Sequence, residues 1–423
     1  MTLDTRLSMV LFLAAACGGG TEPELIPGGG VSDPGIDGDL YVHVIDEDTD
    51  EPLADAEVWI GDDINGQTDL EGLFSAGDVD GPQTVTVVAS GYTTATWVGV
   101  NGANLTIPLS ARNVDYGQGR VSGTIEGFED IPVPSGRANI AFVGYSQNRD
   151  DDDPNNEIDQ GDPAPNVCFN AGGGGPCEWT MRTRSGQMTV VAYLGTIDAD
   201  QNVEVTGFAY HMGVVVDDGG HTDGVNLTIA DEADLVWPDV SLPSAPAGTQ
   251  QVAAAVRIDL GDDGRLMLPV AGALEVPVPD RALLDADSYE LIGFAGTQPD
   301  GAGSIRIDRD LESVEEASVG TFLALPDGLS TDGTTFSFEP VNGAALHIFG
   351  VDEGTDDTTA WGVAILDGST EVTLPRAVTL PDGPLRFGVQ AIEVPDLDVQ
   401  DFAVDDLEDL ISRVSGDSVS FTR

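Results

Sequence analysis

Lysine is absent from the 423 residues, so all 16 basic side chains are Arg, against 74 Asp and Glu and a net charge of −58. Without lysine there is no Walker-type phosphate ligand, no Schiff base and no Ser-Lys dyad. The negative field repels phosphates and anionic head groups, which excludes nucleic acid as a partner. Histidine is sparse: His43, His211, His221 and His347 are dispersed, and none begins an H-E-x-x-H or H-x-x-E arrangement. The ligands of a zinc carboxypeptidase are therefore not recognisable. Aromatics make up only 6% of the chain. After the amino-terminal segment, no stretch reaches the roughly 18 apolar residues of a membrane-spanning helix. No fixed period recurs either, which argues against a solenoid or propeller.

What is present points to strands and turns. An apolar fraction of 41% supports packed cores, while 53 Gly and 25 Pro imply many turns and few long helices. The expected fold is all-β: tandem β-sandwich domains with one short carboxy-terminal helix. The excess of carboxylates reads as a solvated surface suited to a salty medium, or as a surface that collects calcium or cationic partners.

Cys17, Cys168 and Cys177 are the three cysteines. Leu7 to Ala16 form an apolar run of signal-peptide length behind Arg6, and Leu13-Ala14-Ala15-Ala16-Cys17 closes it. This segment resembles a bacterial lipoprotein signal peptide. The resemblance implies lipid attachment at Cys17, anchorage to a membrane and an extracytoplasmic body. Gly18, rather than Asp, after the cysteine implies the outer membrane. Ala14-Ala15-Ala16 also suits ordinary signal cleavage, so secretion without a lipid stays open. With Cys17 set apart, Cys168 and Cys177 remain as a natural disulfide pair around the Gly172–Gly175 run, in an oxidising compartment, with two free thiols as the alternative.

Downstream of the signal segment (1–17), Gly, Pro and acidic residues over 18–37 read as a flexible tether. From 38 to 112 the chain alternates as short strands. Four pieces stand in order there: Val44-x-Asp46; Thr49-x-x-Pro52-Leu53-x-x-Ala56-x-Val58; Thr68-Asp69-x-x-Gly72-x-Phe74; and Ala89-x-Gly91-Tyr92. They resemble the carboxypeptidase regulatory-like domain, a transthyretin-like β-sandwich. The resemblance implies a spacer or binding module with no catalytic set. Asp50 and Asp55 stand where that family usually has Gly; both positions call for left-handed backbone, which Asp tolerates.

Residues 113–237 read as a second β-rich domain, 238–248 as a proline-rich linker, and 249–423 as a third β-rich domain. In the last, Ala403, Val404, Leu407, Leu410, Ile411 and Val414 recur at helical spacing between Asp401 and Gly416, which predicts a helix there.

Chemistry has few candidate places. Counting from Asp151, oxygen-bearing Asp151, Asp153, Asn155, Glu157, Asp159 and Asp162 fall at the ligand positions of a loop resembling the EF-hand, which implies calcium as the one candidate metal; the alternative is a solvated acidic loop. Asn156 replaces the turn glycine, Asp162 is shorter than the usual Glu, and the prolines after it preclude an exiting helix. Gly144-Tyr145-Ser146 starts a G-x-S-x-G sequence that is not completed. Trp59, Trp97, Trp179, Trp237 and Trp361 are read first as core or sheet-edge residues, with sugar-stacking faces as the alternative, and the 74 carboxylates are too many for the sequence to select a pair for glycoside hydrolysis. The sequence reading is thus a cell-envelope lipoprotein of non-catalytic binding or structural modules. It needs no cofactor and contacts the membrane through its anchor and an unidentified protein or glycan. Carbohydrate binding or processing, and a calcium-stabilised structural role, are the alternatives.

Overall fold

The computed structural model describes residues 23–112, 117–146, 166–172, 175–272, 275–297, 302–354 and 358–423. The fold is all-β, with tandem sandwiches and, among the described residues, one short α-helix, Val404–Leu410. No helix among the described residues is long and apolar enough to cross a membrane.

The first sandwich begins earlier than composition suggests. Gly30–Gly35, within the expected tether, is a strand that pairs with Gly102–Leu109 and with Phe402–Ala403. Gly, Asp and Pro conceal this strand in the sequence, and fully buried Val31 anchors it. The sheet runs in the order Phe402–Ala403, Gly30–Gly35, Gly102–Leu109, Asp37–Asp46, Leu73–Asp80. Alternation puts Leu40, Val42 and Val44 into the core, where they meet Val58, Val85 and Val87 from the facing sheet.

That facing sheet does not stop at the first sandwich. Its twelve strands run Arg265–Ala271, Gln251–Asp259, Tyr289–Gly296, Gly303–Leu311, Arg413–Thr422, Pro384–Glu393, Leu346–Glu353, Thr358–Ile365, Thr94–Val100, Gln83–Val88, Glu57–Ile60, Ile64–Gln67. The joint is a parallel ladder pairing Thr94 to Val98 with Trp361 to Ile365. Buried Trp361 donates its indole N–H to Thr96 at 2.9 Å, and the Thr96 hydroxyl also meets that of Thr86 at 3.0 Å. Gln400 holds the same joint, accepting from the N–H of Asn101 at 2.7 Å and donating to the carbonyl of Gly99 at 3.0 Å. One hydrophobic cluster accordingly contains Val58 and Leu105 together with Leu346, Leu366 and Leu407. A three-stranded sheet, Asp327–Thr331, Thr335–Glu339 and Glu371–Thr373, carries Phe336 and Phe338 into a second cluster around Trp361, Phe349 and Phe387.

The middle region is a seven-stranded sheet in the order Val167–Asn170, Arg137–Tyr145, Gly186–Asp198, Val203–Val216, His221–Ile229, Gln118–Ile125, Cys177–Arg184. Its two edge strands carry Cys168 and Cys177, whose disulfide joins Cα atoms 5.7 Å apart. Both half-cystines pack into the cluster of Val121, Met188, Val190 and Leu227. The bond therefore closes the sheet upon itself where no ladder connects the edges.

The carboxy-terminal helix is shorter than periodicity implies. It ends at Leu410, and Arg413–Thr422 is a strand paired with Pro384–Glu393 and Gly303–Leu311. Val414 thus lies on a strand. The apolar spacing keeps helical phase for about three turns, from Ala403 to Val414, but sheet pairing on both sides satisfies more backbone groups than a frayed helix end would. In the stretch expected as a linker, Asp239–Ser241 pairs with Glu316–Ser318 in parallel.

Candidate functional site

The four sequence pieces of the first sandwich converge at one end of it. The N–H of Val44 donates to the carbonyl of Gly72, that of Leu53 to Val44, and that of Asp46 to Glu51. Thr68 ties the second and third pieces: its hydroxyl donates to the carbonyl of Leu53 at 2.6 Å and accepts from the N–H of Ala56 at 2.9 Å. Asp69 accepts from the N–H groups of Glu71 and Leu73, shaping the turn through Gly72. Gly72 is required there, because its φ is 70° and a Cβ would stand 2.7 Å from the Val44 carbonyl oxygen. The fourth piece closes the set through the Tyr92 hydroxyl, which donates to Asp46 at 2.8 Å. Asp50 and Asp55 both take the left-handed conformation, with φ of 55° and 59°.

Electrostatics at this end follow from those bonds. Burial pushes the Asp46 carboxyl up, but hydrogen bonds from Tyr92, from the Thr49 side chain and from the N–H groups of Thr49 and Asp48 outweigh it and hold the group below its usual range. Tyr92 is raised, first by its bond to Asp46 and then by burial. His43, on the same sheet, is buried with neither ring nitrogen partnered; burial lowers its pKa, opposed by the charge of Asp69. The arrangement fixes turns. It presents neither a nucleophile beside a base nor a converged acid pair.

Other candidates are placed as follows. Cys168 and Cys177 form the disulfide. Cys17 and the loop of Asp151, Asp153, Asn155, Glu157, Asp159 and Asp162 lie outside the described residues. Among the described residues, no three of His, Cys, Asp and Glu are grouped to hold a metal. Trp97, Trp179 and Trp361 are buried and Trp59 is half-buried, whereas Trp237 is 52% exposed. Sugar stacking thus narrows to Trp237. Ser146 is buried; it donates to the carbonyl of Asp263 and accepts from the N–H of Thr189 at 2.9 Å, a structural duty.

Sequence reading missed the role of Asp263. It lies in Gly261-Asp262-Asp263-Gly264, whose composition between two apolar runs signals no more than a hairpin turn, yet it is 4% exposed and its carboxylate takes three hydrogen bonds from the middle region. No local signal could reveal this, since its partners Gln187, Thr189 and Gly213 are at least 50 residues away.

No protein-family model matches the chain, and no curated protein matches it.

Proposed function

We propose that the protein is a cell-envelope lipoprotein, anchored through a lipid on Cys17, whose body of sandwiches serves as a non-catalytic binding or structural module. The Cys168–Cys177 disulfide carries this reading. It suits an oxidising compartment outside the cytoplasm, and it leaves Cys17 as the one cysteine without a partner in the pairing, directly after an apolar run ending in small residues. In this reading the first sandwich is a carboxypeptidase regulatory-like module, supported by the way its four sequence pieces interlock. The ladder between Thr94–Val100 and Thr358–Ile365 joins that module to the carboxy-terminal region instead of leaving it on a string. The anchor would therefore hold a joined body, in the outer membrane by the resemblance of the segment around Gly18.

Mass analysis of the mature amino terminus tests the anchor. A diacylated or triacylated Cys17 supports it, and an unmodified Cys17 at the new terminus removes it. Exposed Trp237 favours a second reading, glycan binding by the same body. A glycan array probed with the native protein and with Trp237→Ala separates the two: signal lost in the variant supports glycan recognition, and no signal from either counts against it. Calcium would enter through the loop 151–162, and an unchanged melting temperature with calcium or with a chelator counts against that role.

A further inference from the structure

We infer that Ser122, His221 and Asp223 form a site for one divalent transition-metal cation on the outer face of the middle region. His221 and Asp223 are two residues apart on the strand His221–Ile229, so they emerge on one face. The parallel register sets His221 against Arg120 and Thr222 against Val121, which brings Ser122 beside Asp223. Val121 points into the core, so the three side chains point away from it. A shift in register between Thr222 and Val225, at left-handed Gly224, adds the residue that lets Asp223 lean towards Ser122.

Three donor atoms meet at one point. The Ser122 hydroxyl donates to Asp223 Oδ1 at 2.5 Å, His221 Nε2 lies 3.1 Å from the same oxygen, and His221 Nε2 lies 3.2 Å from Ser122 Oγ. A hydrolytic relay is excluded by this geometry. In a relay the serine and the carboxylate bond opposite ring nitrogens, whereas here both meet Nε2 and Nδ1 has no orienting partner among these residues. The same convergence suits a metal. Donors about 2.1 Å from a cation in octahedral array are about 3 Å apart; the two edges through His221 Nε2, at 3.1 and 3.2 Å, have that spacing, and the Ser122–Asp223 edge, a hydrogen bond of 2.5 Å, has to open by about half an ångström for both oxygens to face one cation. A ring nitrogen with a carboxylate and a hydroxyl favours zinc, nickel, cobalt or manganese over calcium, which takes oxygen ligands alone. His221 and Asp223 side chains are 47% and 73% exposed, leaving the outer positions to water or to an incoming ligand. Arg120, opposite His221, and Arg182, opposite Arg120 on the neighbouring strand, are the opposing charges on this face, so binding has to come from the three donors and not from a general negative field.

The protein has only four histidines, which makes the test specific. The full-length protein, with its imidazole nitrogens labelled with ¹⁵N, is titrated with zinc and followed by NMR. The expected result is a saturable one-to-one shift of His221 Nε2 while His43, His211 and His347 stay unmoved. Asp223→Asn should weaken the apparent affinity at least about tenfold, as losing even an outer partner of a metal ligand does. Ser122→Ala should weaken it less, and both variants should melt as the parent does because the side chains are not core. No shift at His221, or His221 and His211 shifting together as for diffuse attraction to a surface of charge −58, would overturn the site. So would an unchanged titration in Asp223→Asn.

Discussion

Asp263 Oδ2 accepts the Thr189 hydroxyl at 2.6 Å, which places a turn of the carboxy-terminal region inside a bulge of the middle region's sheet. The register shift between Met188 and Val190 opens that bulge, and the N–H of Gly213 completes it with a bond of 2.7 Å to the same oxygen. Gln187 holds the other carboxylate oxygen at 2.7 Å. Around this plug, Val191, Val205 and Phe208 pack with Val256, Leu268 and Leu291.

Replacing Asp263 with Ala should therefore cost about 2–4 kcal/mol, since the Thr189 hydroxyl and the Gly213 N–H lose their acceptor in a dry site. Asp263→Asn should cost less, because one acceptor oxygen survives. The urea midpoint reads both, with the slope checked for constancy.

Acid should weaken the fold in a defined window. His43 and His347 both have pKa values lowered from 6.5 by burial, the latter with Nε2 accepting the N–H of Val341 at 3.1 Å. A histidine with a lowered folded-state pKa binds its proton more tightly once unfolded. The stability it protects is thus present above pH 6.5 and is lost as pH falls below that value. Glu393 acts in the same direction at lower pH: a side-chain bond from Arg413 holds it down to about 2, so its contribution fades below about pH 4.5. Melting temperature should fall between pH 6.5 and 5.5 in the parent and fall less in His43→Phe, which carries no proton there. An identical slope in the variant would remove His43 from the account.

Removing the disulfide with paired Cys168→Ser and Cys177→Ser changes should cost about 2–3 kcal/mol. Hydrogen exchange should rise first along Val167–Asn170 and Cys177–Arg184, because these edges have no ladder to each other. Exchange that rose uniformly would show that the bond acts on global unfolding instead of holding these two edges.

Left-handed turns give a fourth test. Among the described residues, six of the seven non-glycine positions with positive φ are Asp, including Asp50, Asp55 and Asp78. Asp55→Gly should be neutral or slightly stabilising, while Asp55→Val should cost about 1–2 kcal/mol, because a β-branched side chain is crowded in the left-handed conformation that Asp tolerates. Thermal melts of the two variants check this.

Local signals in the sequence were rich where a face or a turn decides structure. Glu57–Ile60 and the hairpin around Gly261–Gly264 were visible as alternation between turn residues, and the Asp50 and Asp55 turns as positions calling for left-handed backbone. Contacts set by distant partners were not visible. Nothing in Thr94–Val100 announces a parallel partner some 265 residues on, and Asp263 looks like any turn acid until Thr189 is beside it. The helix over-extended for the same reason: Val414 is in phase with Leu407, but its pairing with Ile305 and Ile392 decides its conformation.

The strand Arg413–Thr422 lies in the interior of the twelve-stranded sheet, between Gly303–Leu311 and Pro384–Glu393. The two halves of that sheet cannot be joined until this stretch of chain has been made, so assembly cannot proceed from one end to the other. Until then Gly303–Leu311 and Pro384–Glu393 each carry an open hydrogen-bonding edge, the state in which strands recruit wrong partners. Folding of this protein should therefore be slow, limited by closure of long loops, and most exposed to aggregation in the interval before its centre is filled.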